Sequence, residues 1–152
     1  MESMGREIQK FKLERGGYSL VALDHGLTYG VSQGIEPLRV KSLLQVCNGQ
    51  IGGVVLTFGL AKYIELAEGH VPVILQCFGG PLGSEKVQIS SIEQALLMGA
   101  AAVSVQLKLS SEGCPPSSCA REIGRFVARA YEHNLPRSEE HTSELQSRSD
   151  LV

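Results

Sequence analysis

Tryptophan is absent from this 152-residue sequence, and aromatic residues make up only 5% of it. Lys and Arg form no cluster and do not alternate with aromatic residues, so the sequence carries no signature of nucleic-acid binding. The longest apolar runs are far shorter than the ~18 residues that span a bilayer. The charged amino terminus has no apolar segment of the signal-peptide kind. These absences predict a cytoplasmic protein with no nucleic-acid and no membrane partner.

Two kinds of cofactor site are also missing from the sequence. The four cysteines, at 47, 77, 114 and 119, do not have the spacing of metal ligands. Cys47 and Cys77 lie inside apolar runs, where cysteine behaves as a small hydrophobic residue. No G-x-G-x-x-G fingerprint follows the first apolar run, which disfavours a dinucleotide site. We therefore expect no metal and no cofactor.

What the sequence does contain is a regular alternation of apolar runs with segments of helical periodicity. The predicted strands are 18–23, 53–58, 71–78 and 102–107, and the predicted helices are 37–47, 60–67, 91–99 and 117–134. Because the apolar runs show no polar alternation, they are typical of strands buried on both faces of a parallel sheet. Two α/β architectures fit this pattern, an open doubly wound sheet and a barrel.

The first predicted strand is followed directly by Asp24-His25-Gly26. A side chain in this position lies at the carboxyl end of a strand, where barrel enzymes place their chemistry. A carboxylate there is partly desolvated and can exchange protons with a neighbouring amine near neutral pH. The alternative is that Asp24 only hydrogen-bonds its own turn, as Asp residues often do.

Two stretches of the sequence resemble one enzyme family. The first is FKLERGGYSLVALDHGLTYG (Phe11–Gly30), and the second is SSIEQALLMGAAAVSVQLKLSSEG (Ser90–Gly113). Both are similar to the class I aldolases that include archaeal-type fructose-bisphosphate aldolase and 2-amino-3,7-dideoxyheptulosonate synthase. The resemblance covers about residues 8 to 136. It implies a (β/α)₈ barrel, of which this chain would supply the N-terminal half, with four parallel strands and their helices.

The resemblance also implies a function. In that family a lysine on the sixth strand forms a Schiff base with a ketose carbonyl, and a tyrosine after the fifth strand assists proton transfer. The aspartate of the first-strand turn lies beside that lysine, and Asp24 matches it. His25 is then a candidate for contact with a sugar hydroxyl or a phosphate, with a structural hydrogen bond as the alternative. The implied protein is a homo-oligomeric carbon–carbon lyase that acts on phosphorylated keto sugars.

After Pro136 the composition changes abruptly, to RSEEHTSELQSRSDLV. The stretch Arg137–Ser147 resembles an in-frame translation of a sequencing-library adapter. We therefore expect residues 1–136 to form the partial barrel, and residues 137–152 to be an artefactual, disordered tail without contacts. Such a chain would lack the imine-forming lysine and be inactive, and its exposed sheet edges would favour self-association.

Two other functional interpretations remain open. One is a half barrel that binds no ligand. The other is a different barrel enzyme that uses Lys108, at the end of the fourth predicted strand, as its nucleophile. A metal-dependent barrel is disfavoured, because the strand ends offer only Asp24-His25, Thr57, Cys77 and Lys108, which is not a metal-ligand set.

Overall fold

Strands and helices alternate along the chain. The computed structural model describes residues 8–30, 36–64, 71–108 and 117–142, with the backbone alone described for 138–142. Within these ranges no helix is long and apolar enough to cross a membrane. In chain order the elements are a 3₁₀ turn (Gln9–Phe11), β1 (Leu20–Ala22), α1 (Gly26–Tyr29), α2 (Pro37–Val46), β2 (Gly53–Leu56), α3 (Phe58–Ile64), β3 (Val73–Gly79), β4 (Val87–Gln88), α4 (Ile92–Leu97), β5 (Ala102–Lys108), α5 (Ser117–Glu132) and β6 (Arg137–Thr142).

The strands form one sheet in which β1, β2, β3, β5 and β6 are neighbours in that order, and each pairs in parallel with the next. Strand β4 adds a short antiparallel pairing to the end of β3. A doubly wound sheet would place the first strand in the middle. The sequential order therefore confirms the barrel alternative, and the chain forms a parallel half-barrel sheet with helices.

The helix starts follow the local sequence. Helix α2 begins at Pro37, whose fixed φ suits the first turn and whose missing N–H costs nothing there. Helix α4 begins with a capping box, in which the Ser91 hydroxyl accepts a hydrogen bond from the Gln94 N–H at 3.1 Å. The Gln94 side chain accepts one from the Ser91 N–H at 2.9 Å. These reciprocal bonds satisfy two of the donors that a helix start leaves unpaired.

The outer face of the sheet is covered by helices. Helix α5 packs on β3 and β5, and its Phe126 meets Phe78 edge to face, with ring centroids 5.1 Å apart. The pairing of β3 with β5 shifts register between Gln76 and Phe78. This irregularity lets Cys77 and Phe78 both join the outer cluster. Helix α5 therefore covers the outer face of the sheet at β3 and β5.

The inner face is apolar at the amino ends of the strands. Val55, Ile74 and Ala102 are partners in register on β2, β3 and β5, and Phe11 covers them. All four are less than 10% exposed. The 3₁₀ turn before the first strand thus closes the bottom of the half barrel, and it was not among the elements predicted from the sequence.

Strand β6 corrects one prediction. Residues 137–152 were expected to contact nothing, but Arg137–Thr142 pair in parallel with β5, from Val103–Arg137 to Lys108–Thr142. The physical reason is that an edge strand offers a row of unpaired N–H and C=O groups, and backbone pairing does not require apolar side chains. Residues 143–152 lie outside the described part of the chain, and the adapter origin of the segment stays a prediction.

A first prediction concerns Gly52, just before β2. A Cβ at this position would overlap the carbonyl oxygen of Phe11, whereas a Cβ on Gly124 of α5 would meet nothing within 4 Å. Gly52→Ala should lower the free energy of unfolding by about 3 kcal/mol. The control Gly124→Ala should raise it by about 0.5–1 kcal/mol, because alanine favours the helix. Chemical denaturation measures both, and equal effects would contradict the close approach of Phe11 to β2.

A second prediction concerns the pairing of β6. Removal of residues 137–152 should accelerate hydrogen exchange of the β5 amides, because those that face β6 lose their acceptors. Strand β1, at the opposite edge of the sheet, is the internal control and should exchange as before. Hydrogen exchange followed by mass spectrometry makes the comparison, and unchanged exchange in β5 would show that β6 does not protect this edge.

Candidate active site at the carboxyl end of the sheet

The inner face becomes polar towards the carboxyl ends of the strands. Gln76 and Ser104 are partners in register, two positions beyond the apolar layer on β3 and β5. Leu23 packs with buried residues of α2, β2 and α3 on the outer face, so alternation directs Asp24 to the inner face with Gln76 and Ser104. These three polar residues are 7% exposed or less, and Gln106, two positions further along β5, is 9% exposed. A buried polar layer therefore replaces the apolar one at this end.

Gln76 carries an unsatisfied polar atom in this layer. Its side chain is fully buried, and its Nε2 donates to the Phe78 carbonyl oxygen at 2.5 Å. Among the described residues, none donates a hydrogen bond to its Oε1. Rotating the amide would bring two oxygens together, so the Phe78 carbonyl fixes the orientation. A buried acceptor without a donor normally costs about 1–3 kcal/mol, so this layer is not optimised for stability alone.

The carboxylate of Asp24 is not used by its own turn. The turn is closed by the Leu27 N–H, which donates to the backbone oxygen of Asp24 at 3.1 Å. Within the described residues, the Asp24 side chain has a single ionisable neighbour, His25, whose Nδ1 is 4.0 Å from Oδ1. That distance is too long for a hydrogen bond. The local turn bond that sequence reasoning offered as the alternative is therefore absent from the described contacts.

His25 lies at the rim rather than inside the sheet. It precedes the short helix α1, and its side chain is 51% exposed. Its ring stacks on Tyr29, with centroids 6.3 Å apart and planes at 19°. The ring therefore presents its polar atoms to the solvent beside Asp24, a position from which it can contact a bound molecule.

The loop between β3 and β4 lies over this end of the sheet. The Leu82 N–H of this loop donates a hydrogen bond to the backbone oxygen of Thr28, in the turn after β1, at 3.0 Å. Two lysines hold it in place. The Lys86 ammonium donates to the backbone oxygens of Gly80 at 2.7 Å and Pro81 at 3.3 Å. The Lys108 ammonium donates to the Gly83 oxygen at 2.5 Å.

Other reactive groups near the strand ends do not form a site. Burial raises the pKa of the Cys77 thiol to about 12, which keeps it protonated and unreactive. Thr57 uses its hydroxyl to accept a 3.4 Å hydrogen bond from the Leu60 N–H at the start of α3. In the described part of the chain, no three or more His, Cys, Asp or Glu side chains come together as metal ligands.

The structure thus places Asp24 and His25 side by side at the carboxyl end of the sheet, and Lys108 at the same end on β5. Sequence reasoning missed two residues. Gln76 had a signal, because it is the single polar residue inside the apolar run VPVILQCF. Lys86 had none, since an isolated lysine in a polar loop is usually solvated and only the folded loop buries it.

Comparison with solved structures identifies the class of fold. No protein-family model matches the sequence. The structure is similar to that of an archaeal fructose-1,6-bisphosphate aldolase whose catalytic lysine is covalently bound to the carbinolamine intermediate of the substrate. The TM-score is 0.71 at 24% identity, over 90% of this chain and 56% of that one. It is also similar to another archaeal fructose 1,6-bisphosphate aldolase structure, with a TM-score of 0.71, 25% identity and the same coverage.

A third solved structure extends this similarity. The fructose-bisphosphate aldolase from Slackia heliotrinireducens matches with a TM-score of 0.66 and 19% identity, over 94% of this chain and 50% of that one. These likenesses establish the aldolase-like half-barrel fold. The chain spans about half the length of the aldolases that it matches.

A third prediction tests the unsatisfied oxygen of Gln76. Gln76→Met keeps a side chain of similar length and removes the buried acceptor, which costs about 1–3 kcal/mol, together with the hydrogen bond from Nε2 to the Phe78 carbonyl oxygen, which contributes about 1 kcal/mol. The net effect should be a rise of about 1 kcal/mol in the free energy of unfolding. Gln106→Met on β5 is the matched control, because neither of its amide atoms is a buried group without a partner. It should bring no gain. If Gln76→Met lowers the free energy of unfolding as much as Gln106→Met does, then Oε1 of Gln76 has a donor in solution.

Proposed function

We propose that the chain is part of a Schiff-base aldolase, a cytoplasmic and homo-oligomeric carbon–carbon lyase that acts on phosphorylated keto sugars. The observation that carries the proposal is the position of Asp24. Its carboxylate is buried at the carboxyl end of a parallel strand and is not used by its own turn. The fold that contains Asp24 is similar to that of fructose-bisphosphate aldolases. The sequence motif around Asp24 resembles theirs.

In the proposed reaction a lysine amine adds to the ketone carbonyl, and loss of water gives an iminium ion. That cation accepts the electron pair released when the adjacent carbon–carbon bond breaks. Asp24 would take up and return the protons that these steps move, as a carboxylate positioned beside the reacting atoms can. His25, exposed at the rim, would contact the sugar hydroxyls or the phosphate.

The two lysines at this end of the sheet are poor candidates for the imine. The side-chain nitrogens of Lys86 and Lys108 both donate to backbone carbonyl oxygens of the β3–β4 loop, so both are engaged in holding that loop. Lys86 is also only 3% exposed, which leaves a ketone no access to it. The family resemblance assigns the imine to a lysine on the sixth strand of the barrel. We therefore propose that this chain alone catalyses no aldol cleavage.

Borohydride trapping tests this assignment on the chain itself. Incubation with a ketose phosphate and borohydride, followed by peptide mass spectrometry, should give no reduced adduct on any lysine, because the proposed nucleophile is elsewhere in the barrel. Lys108→Met is the control for background modification at the rim. A stable adduct on Lys108 that this variant loses would replace the proposal with the alternative barrel enzyme.

The role of Asp24 is tested in a full-length barrel that contains this segment. Asp24→Asn keeps the shape of the side chain and removes the base, so turnover should fall by about 10²–10⁴-fold. Glu14→Gln, in an exposed turn, makes the same chemical change away from the site and should leave turnover unchanged. Circular dichroism establishes that both variants fold. Normal turnover in folded Asp24→Asn would assign this residue a structural role only.

A further inference from the structure

Lys86 is a buried charge without an acidic partner. Its side chain is 3% exposed, and its ammonium is bound by two backbone oxygens of the loop that it closes. Lysines are rarely buried in this way unless a carboxylate neutralises them, because a charge loses its hydration on burial. In the described part of the chain, neither Lys86 nor Lys108 takes part in an ion pair.

A second ammonium increases the local positive charge. Lys108 closes the other side of the same loop through Gly83, and it is partly exposed. The pKa of Lys86 is lowered by burial and also by the positive charge of Lys108, so the two ammonium groups repel each other across the loop.

The nearest acidic residue along the chain is directed elsewhere. Glu85 precedes Lys86, but its carboxylate accepts a 3.3 Å hydrogen bond from the Ser118 hydroxyl at the start of α5. The thiol of Cys119, on the same helix, approaches the backbone oxygen of Lys86 at 3.9 Å. Helix α5 therefore contacts the loop at Glu85 and at the backbone oxygen of Lys86. Neither contact involves the ammonium group of Lys86 or Lys108.

We propose that Lys108 and Lys86 form a binding site for the phosphate group of a sugar phosphate at the carboxyl end of the sheet. An ammonium group has three N–H donors. Lys108 uses one of them for the loop, so two remain for phosphate oxygens, and its partial exposure gives the anion access. Lys86 is bound to the same loop and is buried, so it adds a positive charge shielded from water, where attraction to an anion is stronger than in solution.

The place of this site in the fold suits a substrate that also meets Asp24. The loop held by the two lysines contacts the turn after β1 through Leu82 and Thr28. A phosphate on the loop and a carbonyl carbon near Asp24 would then belong to one elongated molecule. The assignment of the anion to a sugar phosphate rests on the proposed function, whereas the binding of phosphate itself does not.

The test is a titration of the whole chain with inorganic phosphate at constant ionic strength, followed by amide NMR. Saturable shifts are expected at Gly83 and Lys108. Lys108→Met should weaken binding about tenfold or more, the usual effect of losing a charge-assisted hydrogen bond. Lys62→Met, which removes one exposed lysine of α3, is the matched control and should bind phosphate as the parent does.

Three results separate the possible failures. Absence of saturable shifts at Gly83 and Lys108 in the parent chain would overturn the site. Equal weakening by Lys108→Met and Lys62→Met would also overturn it, because the effect would then be one of net charge. If phosphate binds as expected but fructose 6-phosphate binds no more tightly, the anion site stands and its assignment to a sugar phosphate fails. Loss of phosphate binding in Lys86→Met would add support. If Lys86→Met does not fold, the comparison of Lys108→Met with Lys62→Met decides whether the site exists.

Discussion

The parallel pairing of β1, β2, β3 and β5 in one register is the constraint on which the rest of the structure depends. Because side chains alternate between the faces of a strand, the register divides the inner face into layers. The first layer is apolar and is closed by Phe11, and the next contains Asp24, Gln76 and Ser104. A shift of one residue in any strand would exchange these side chains with those that pack under the helices. Stability and the candidate site therefore depend on the same hydrogen bonds.

The candidate site depends on a local irregularity near the carboxyl ends of the strands. The register shift in β3 turns Phe78 towards helix α5 and leaves Gln76 on the inner face, where no residue in the described part of the chain donates to its Oε1. Beyond it, the β3–β4 loop depends on two ammonium groups and on one contact with the turn after β1. An arrangement built for stability alone would have used neutral groups in these places. Departures of this kind are common where a fold binds a ligand.

The half-barrel form also explains why β6 pairs with β5. In a closed barrel every strand has two neighbours, whereas β5 here would be an open edge without β6. A hydrophilic segment supplies the missing pairing through its backbone. Edge pairing of this kind depends little on sequence, which is why the composition of residues 137–142 gave no sign of it. The prediction failed there because it judged the segment by its ability to bury side chains and not by what the neighbouring strand needed.

The sequence by itself determined the local elements, because apolar runs and helical periodicity record which faces are buried. The four predicted strands and four predicted helices are present with small differences at their ends, and Ser91 and Pro37 begin helices as expected. The resemblance to aldolases indicated both the barrel and Asp24. Tertiary structure alone decided which of these groups meet. It showed that Asp24 is not engaged by its turn, that Gln76 Oε1 meets no donor among the described residues, and that Lys86 is buried on the loop that Lys108 also binds. Such facts depend on which groups the fold brings within reach of each side chain, and apolar periodicity does not encode that.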